Sequence, residues 1–189
     1  TFQQYLLLER LKEKLDPKLI IFQFCSNDLQ NNNLNLEKIN GSINQYSRRP
    51  YFKDNKIIYS DNFLSKLLRL KFVGESRIIN KFFFMLYKNK KKNFLEVDLK
   101  NAKKITLNLL KKIREIFPEK DYYIFNCIAD DFDLNFYAKR AKFKIINTVL
   151  TDLSNAKIEN KKIYYKDGGH YNELGNKLIG DAIYNYFRK

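Results

Sequence analysis

The chain holds one histidine, His170, and an aspartate, Asp167, stands three residues before it. An imidazole exchanges protons near neutral pH, and a neighbouring carboxylate can orient the ring and stabilise its protonated form. Gly168 and Gly169 separate the two side chains, and an amphipathic helix is predicted after them over 172–187, with Asn172 as its N-cap. The spacing indicates an acid–base pair at the start of a helix. The alternative, in which His170 only caps the helix or satisfies a buried carboxylate, stays open.

A second polar group follows a strand-like segment near the N-terminus. Leu19–Cys25 is a nearly continuous apolar run, which is typical of a strand buried on both faces of a parallel sheet. Ser26, Asn27 and Asp28 come directly after it, and active sites in such sheets lie at the carboxyl ends of the strands. The side-chain amide of Asn27 can donate a hydrogen bond there, whereas Asp28 is expected to bond within its own loop.

The remaining pattern alternates between helices and strands. Strands are predicted over 19–25, 121–127 and 144–149, and helices over 2–15, 62–72, 78–86, 98–117, 131–141 and 172–187, with a loop over 26–44 and an extended segment over 48–59. This alternation predicts an α/β domain with a parallel sheet and helices on both faces. We expect a single domain over residues 1–189, with residues 45–97 as an inserted, partly helical subregion.

Two of these segments resemble signature blocks of the SGNH (GDSL-type) hydrolases. Cys25-Ser26-Asn27-Asp28 is similar to the Gly-x-Asn-Asp block, with Cys25 where the family commonly has glycine, and Asp167-Gly168-Gly169-His170 is similar to the Asp-x-x-His block. The resemblance implies a three-layer α/β/α, flavodoxin-like fold and a serine-type ester hydrolase. It implies that His170 is the general base, that Asp167 orients it, and that Asn27 is an oxyanion-hole donor.

The serine nucleophile of that family has no counterpart in these 189 residues. The Gly-Asp-Ser block belongs before the strand that leads to Asn27, so we expect a chain that lacks its first strand and the nucleophile. Gly74-Glu75-Ser76 imitates the block, but no buried strand leads into it. The full-length parent is expected to be an esterase or deacylase, with acetylated carbohydrate and acyl lipid both open as substrates. This chemistry needs no metal or organic cofactor, and this chain alone is expected to be inactive.

The charge suggests other partners. Lys and Arg total 36 against 21 Asp and Glu, a formal net charge of +15, but only eight of the basic residues are the arginines that nucleic-acid readers favour. A basic nucleic-acid-binding module and a noncatalytic SGNH-like binding or assembly domain therefore remain as alternatives. The apolar stripe Ile78–Leu86 beside lysines could touch a membrane peripherally, although packing onto the core is the favoured interpretation. Compartment and oligomeric state stay open.

Two further expectations concern the cysteines and membrane insertion. Cys25 and Cys127 each end an apolar run and form neither a disulfide framework nor a metal-ligand pattern, so we interpret them as small buried residues. The sequence contains no run of 18 apolar residues, so no membrane-spanning helix is predicted.

Overall fold

A computed structural model describes residues 2–25, 27–39, 49–53, 56–59, 76–88, 96–128, 133–166 and 170–188 of the chain. The helices are α1 Phe2–Leu11, α2 Asp28–Asn32, α3 Leu34–Ile39, α4 Arg77–Lys88, α5 Glu96–Ile116, α6 Leu134–Ala141, α7 Thr148–Ile158 and α8 Glu173–Arg188. The strands are β1 Leu19–Phe24, β2 Pro50–Lys53, β3 Lys56–Tyr59, β4 Asp121–Asn126 and β5 Lys144–Ile145. The chain is therefore a mixed α/β protein. The helix predicted over 62–72 lies outside the described residues.

The chain divides into two compact units, each of which is discontinuous in sequence. The first comprises Thr1–Glu13 and Asn27–Ile113, and the second comprises Lys14–Ser26 and Arg114–Lys189. The first holds the antiparallel hairpin β2–β3, and the second holds the parallel sheet. The single domain over residues 1–189, with an insertion at 45–97, stays a prediction.

The second unit confirms the predicted parallel sheet. Its strand order is β1-β4-β5, and both pairings are parallel. Leu19 lies opposite Asp121 and Phe24 lies opposite Asn126, so β1 and β4 run in step and end together. Their carboxyl ends therefore meet at one edge of the sheet, as the site prediction requires.

Side chains on the two faces of this sheet meet different helices. The ring of Phe24 stacks near that of Tyr137 on α6, with centroids 6.3 Å apart. On the opposite face, Phe125 belongs to an apolar cluster with Val149 of α7 and Ala182 of α8. Because side chains alternate along a strand, α6 covers one face while α7 and α8 cover the other.

The prediction that β1 is buried on both faces is wrong. Leu19 and Ile21 are 36% and 37% exposed, whereas Phe22 and Phe24 on the other face are buried. The reason is that the α7–α8 cluster is built on β4 and includes no side chain of β1 itself. An apolar run shows which side chains can be buried, and the helices decide which of them are covered.

The strand predicted over 144–149 is also shorter than expected. It ends at Ile145, and α7 begins at Thr148, whose hydroxyl donates to the carbonyl oxygen of Ala182 at 3.1 Å. Ile146 and Val149 are buried at the turn. A short run of β-branched residues does not by itself distinguish a strand from the start of a buried helix.

In the first unit, the loop predicted over 26–44 is instead α2 and α3 across the described residues 28–39. The cause is the chemistry of asparagine. The Asn33 side chain accepts hydrogen bonds from the backbone N–H groups of Asn35 and Leu36 and so caps α3. Buried Asn32 accepts from the N–H of Phe2 and donates to the hydroxyl of Thr106. The asparagines had suggested a loop. Instead, Asn33 caps a helix and Asn32 is a hydrogen-bonded residue of the core.

The predicted helices over 2–15, 78–86, 98–117 and 172–187 are confirmed as α1, α4, α5 and α8, with α1 ending in a short 3₁₀ turn at Lys12–Lys14. The favoured interpretation of the apolar stripe over 78–86 is wrong in part. Ile78 and Phe82 of α4, which were expected to pack onto the core, are exposed, and so is Met85 on the same helix. Within the described residues, no helix is both long and apolar enough to cross a bilayer.

Candidate functional site

His170 lies on a short loop between the buried residue Ile163 and helix α8. Its backbone carbonyl accepts a hydrogen bond from the N–H of Tyr165 at 3.0 Å, and its side chain is exposed. Tyr164 and Tyr171 form an isolated antiparallel bridge at the base of the loop. The loop therefore presents the imidazole to solvent while its two ends are tied together.

Tyr171 attaches this loop to the sheet. Its hydroxyl donates to the backbone carbonyl of Cys127, the first residue after β4, and accepts from the hydroxyl of Tyr164 at 3.2 Å. The rings of Tyr164 and Tyr171 stack with centroids 4.7 Å apart. Burial, and then the bond from Tyr164, raise the pKa of Tyr171 above its ordinary value. The residue beside His170 is thus held at the carboxyl end of β4.

The start of α8 fixes the other side of the loop. The Asn172 side chain accepts from the N–H of Gly175 at 3.0 Å, as predicted for an N-cap, and donates to the carbonyl of Lys162 at 2.6 Å. Gly175 packs so closely that a Cβ there would lie 2.6 Å from the Tyr171 ring and nearer still to the carbonyl oxygen of Ile163. Only glycine allows α8 to approach the His170 loop in this way.

The two cysteines are disulfide-bonded, contrary to the expectation of two separate buried residues. Cys25 follows β1 and Cys127 follows β4, and their Cα atoms are 5.7 Å apart, within the usual range for a bridged pair. The bond joins the carboxyl ends of two neighbouring strands. We call the disulfide, together with the Tyr171–Cys127 hydrogen bond, the Cys127 anchor.

Asn27 comes two residues after Cys25, at the start of α2. Its side chain is exposed and makes no capping hydrogen bond to that helix, while its backbone carbonyl accepts from the N–H of Asn31 at 2.9 Å. The side-chain oxygen of Asn27 therefore accepts none of the N–H groups at the start of α2. Asn27 belongs to the first unit and His170 to the second, so their proximity stays a prediction.

Most of the remaining residues that the sequence analysis considered for the site are not described by the structure. Asp167, the predicted orienter of His170, lies outside the described residues, as do Ser26, Gly74 and Glu75. The hydroxyl of Ser76 accepts from the N–H of Ile79 at 3.4 Å, at the start of α4. Ser76 therefore contributes to the N-terminal end of α4 through this hydrogen bond.

The first unit contains two polar features that sequence reasoning missed. Fully buried Glu37 accepts from the hydroxyl of Tyr51 and pairs with Arg49 at 3.2 Å. Burial, and then the bond to Glu37, raise the pKa of Tyr51. Next to Tyr51 lies a cavity of about 500 Å³, whose lining includes Lys38, Lys53 and Lys104. No sequence signal joins these residues, because they come from α3, the hairpin and α5.

Comparisons of this chain with protein-family models, with curated proteins and with solved structures find no match. The likeness to the SGNH hydrolases therefore rests on the two sequence motifs around Asn27 and His170.

The first prediction concerns the hydrogen bond from Tyr171 to Cys127. Tyr171→Phe leaves a carbonyl without its donor, so we expect the free energy of unfolding to fall by about 1–2 kcal/mol in urea titrations. Because the folded-state pKa of Tyr171 is raised, this stabilisation is complete below about pH 10 and is lost as the pH rises through the folded pKa. Amide exchange at Tyr165 and Asn172 should accelerate in the variant.

The matched control is Tyr184→Phe, at an exposed position on α8. It should change neither the urea midpoint nor exchange at these amides. Equal stability of the Tyr171→Phe variant and the unaltered chain would show that the hydroxyl does not hold the loop.

Proposed function

We propose that this chain supplies the base and an oxyanion donor of a serine-type ester hydrolase of the SGNH class. The observation that carries the proposal is the bond from Tyr171 to Cys127, which holds the His170 loop at the carboxyl end of β4. Parallel α/β sheets collect their reacting groups along this edge. Asn27 follows the end of β1, whose last residue, Phe24, lies opposite Asn126 at the end of β4.

The finer fold is part of the proposal: a three-layer α/β/α domain of the SGNH type. It is supported by the packing of α6 on one face of the sheet and of α7 and α8 on the other. Among the described strands β1 pairs only with β4, so its other edge is available to a further parallel strand. That strand and the Gly-Asp-Ser block would come from a segment outside these 189 residues.

In the proposed reaction His170 takes the proton of the serine hydroxyl while the serine oxygen attacks the ester carbonyl. The developing oxyanion accepts a hydrogen bond from the side-chain amide of Asn27. His170 then gives the proton to the leaving alcohol, and a water molecule, deprotonated by His170, hydrolyses the acyl-serine. Asp167 accepts a hydrogen bond from the imidazole and stabilises its protonated form. The substrate is an ester of an alcohol or a sugar.

The second prediction concerns catalysis in the complete protein. His170→Ala removes the base, so turnover of p-nitrophenyl acetate should fall at least about a hundredfold. Asp167→Asn should reduce turnover less than the histidine change does. Both are read from the initial rate of nitrophenolate release, and the 189-residue chain without an added serine block should show no turnover above buffer.

Lys139→Ala, an exposed position on α6, is the matched control and should leave the rate unchanged. Unaltered turnover in His170→Ala would remove this residue from the mechanism. A complete protein without a Gly-Asp-Ser block upstream would favour the noncatalytic alternative.

A second candidate function, a noncatalytic one, is the binding of a small organic anion in the first-unit cavity. Lys38, Lys53 and Lys104 line this cavity together with the amides of Asn101 and Asn108. Within the described part of the chain, none of the three lysines forms an ion pair. Unpaired ammonium groups beside neutral amides suit a polyhydroxylated anion such as a sugar phosphate.

The third prediction tests this binding by calorimetry with glucose 6-phosphate as the probe and glucose as its neutral counterpart. The phosphate ester should bind and glucose should not. Lys53→Met and Lys104→Met should each weaken binding about tenfold, since each removes one charged hydrogen bond. Lys100→Met, exposed on α5 but outside the cavity lining, should have no effect. Equal binding of all variants, or no binding at all, would exclude the cavity as an anion site.

A further inference from the structure

Helix α4 presents an apolar stripe to solvent. Ile78 is 82% exposed, Phe82 54% and Met85 55%. At about 100° per residue these three positions fall within about 60° of the helix circumference. Single exposed apolar residues are ordinary, but three on one stripe of one helix form a contiguous surface. We call this surface the α4 stripe.

Positive charge lies along one edge of the α4 stripe. Arg77 and Lys81 are both exposed, and by the same helical spacing Lys81 lies about 40° from Met85 and Arg77 lies about 40° beyond Lys81. The twelve residues of α4 include no acid. After Lys88, the last residue of α4, the sequence continues as Asn89-Lys90-Lys91-Lys92, which adds three lysines. An apolar stripe with a basic edge and an adjoining polybasic segment is the combination found in helices that lie on anionic bilayers.

We propose that α4 docks this protein on an anionic lipid surface. The apolar side chains of the stripe would enter the boundary between headgroups and acyl chains, and Arg77 and Lys81 would extend to the lipid phosphates. Charge complementarity selects this occupant over a second copy of the chain. Each copy carries a formal net charge of +15, so two copies that met through the stripe would repel each other, whereas an anionic surface attracts the chain.

The protein allows a direct optical test because it contains no tryptophan. Phe82→Trp places a single fluorophore in the α4 stripe, and Ile158→Trp places one at another exposed apolar position, at the end of α7, where Ile158 is 78% exposed. Each variant is titrated with vesicles of phosphatidylcholine alone and with vesicles that also contain phosphatidylglycerol. The emission of Phe82→Trp should shift to shorter wavelength only with phosphatidylglycerol, and that of Ile158→Trp should not shift.

The electrostatic part is tested in the Phe82→Trp background. Arg77→Gln with Lys81→Gln should weaken partitioning about 25-fold, since each basic residue near an anionic surface is worth about fivefold. Lys100→Gln with Lys103→Gln, two exposed positions on α5, is the charge-matched control and should weaken it less. Far-ultraviolet circular dichroism checks that every variant is folded.

Three results would overturn the proposal. One is the absence of any shift with either kind of vesicle. Another is an equal shift with both kinds, which would remove the requirement for anionic lipid. The third is a shift without lipid that grows with protein concentration, which would assign the α4 stripe to a second copy.

Discussion

The Cys127 anchor is the interaction on which the candidate site depends. The sulfur of Cys127 is bonded to Cys25 at the end of β1, and its carbonyl oxygen accepts the hydroxyl of Tyr171. One residue at the end of β4 thereby joins a neighbouring strand and the loop that carries His170. The hydroxyl of Tyr171 is part-buried, and a polar group there that loses its hydrogen-bond partner lowers the stability of the fold. The His170 loop is therefore held to the end of β4.

The close approach at Gly175 complements this anchor from the helix side. Asn172 caps α8 and also bonds the preceding segment, so the helix begins at a fixed distance from the loop. A side chain larger than hydrogen at Gly175 would push α8 away from Ile163 and Tyr171. Hydrogen bonds from the side chains of Tyr171 and Asn172, one disulfide and one glycine therefore hold the His170 loop, while the imidazole itself remains exposed. A catalytic base has to be accessible to its substrate, whereas the residues that hold it in position can be buried.

Much of the second unit could be predicted because its signals are local. Apolar runs of strand length predict β1 and β4, and helical spacing with an asparagine cap predicts α8. The disulfide could not be predicted, because the pairing of Cys25 with Cys127 follows from the strand register and not from their separation in sequence. The helices of residues 28–39 were missed because asparagine-rich segments usually form loops, whereas here Asn33 caps α3 and Asn32 finds buried partners far along the chain, at Phe2 and Thr106. The exposure of the α4 stripe depends on what packs nearby, which helical periodicity does not encode.

The central claim is that Asn27 and His170 serve one reaction, although they belong to different units of the chain. Pulsed dipolar spectroscopy on spin labels at Asn27→Cys and His170→Cys, with the native disulfide intact, measures their separation. A donor and a base that both lie about 3 Å from the same reacting atoms place the two labels within about 25 Å, including their linkers. A single narrow distribution in that range is the predicted result. A separation above about 35 Å would contradict a shared site.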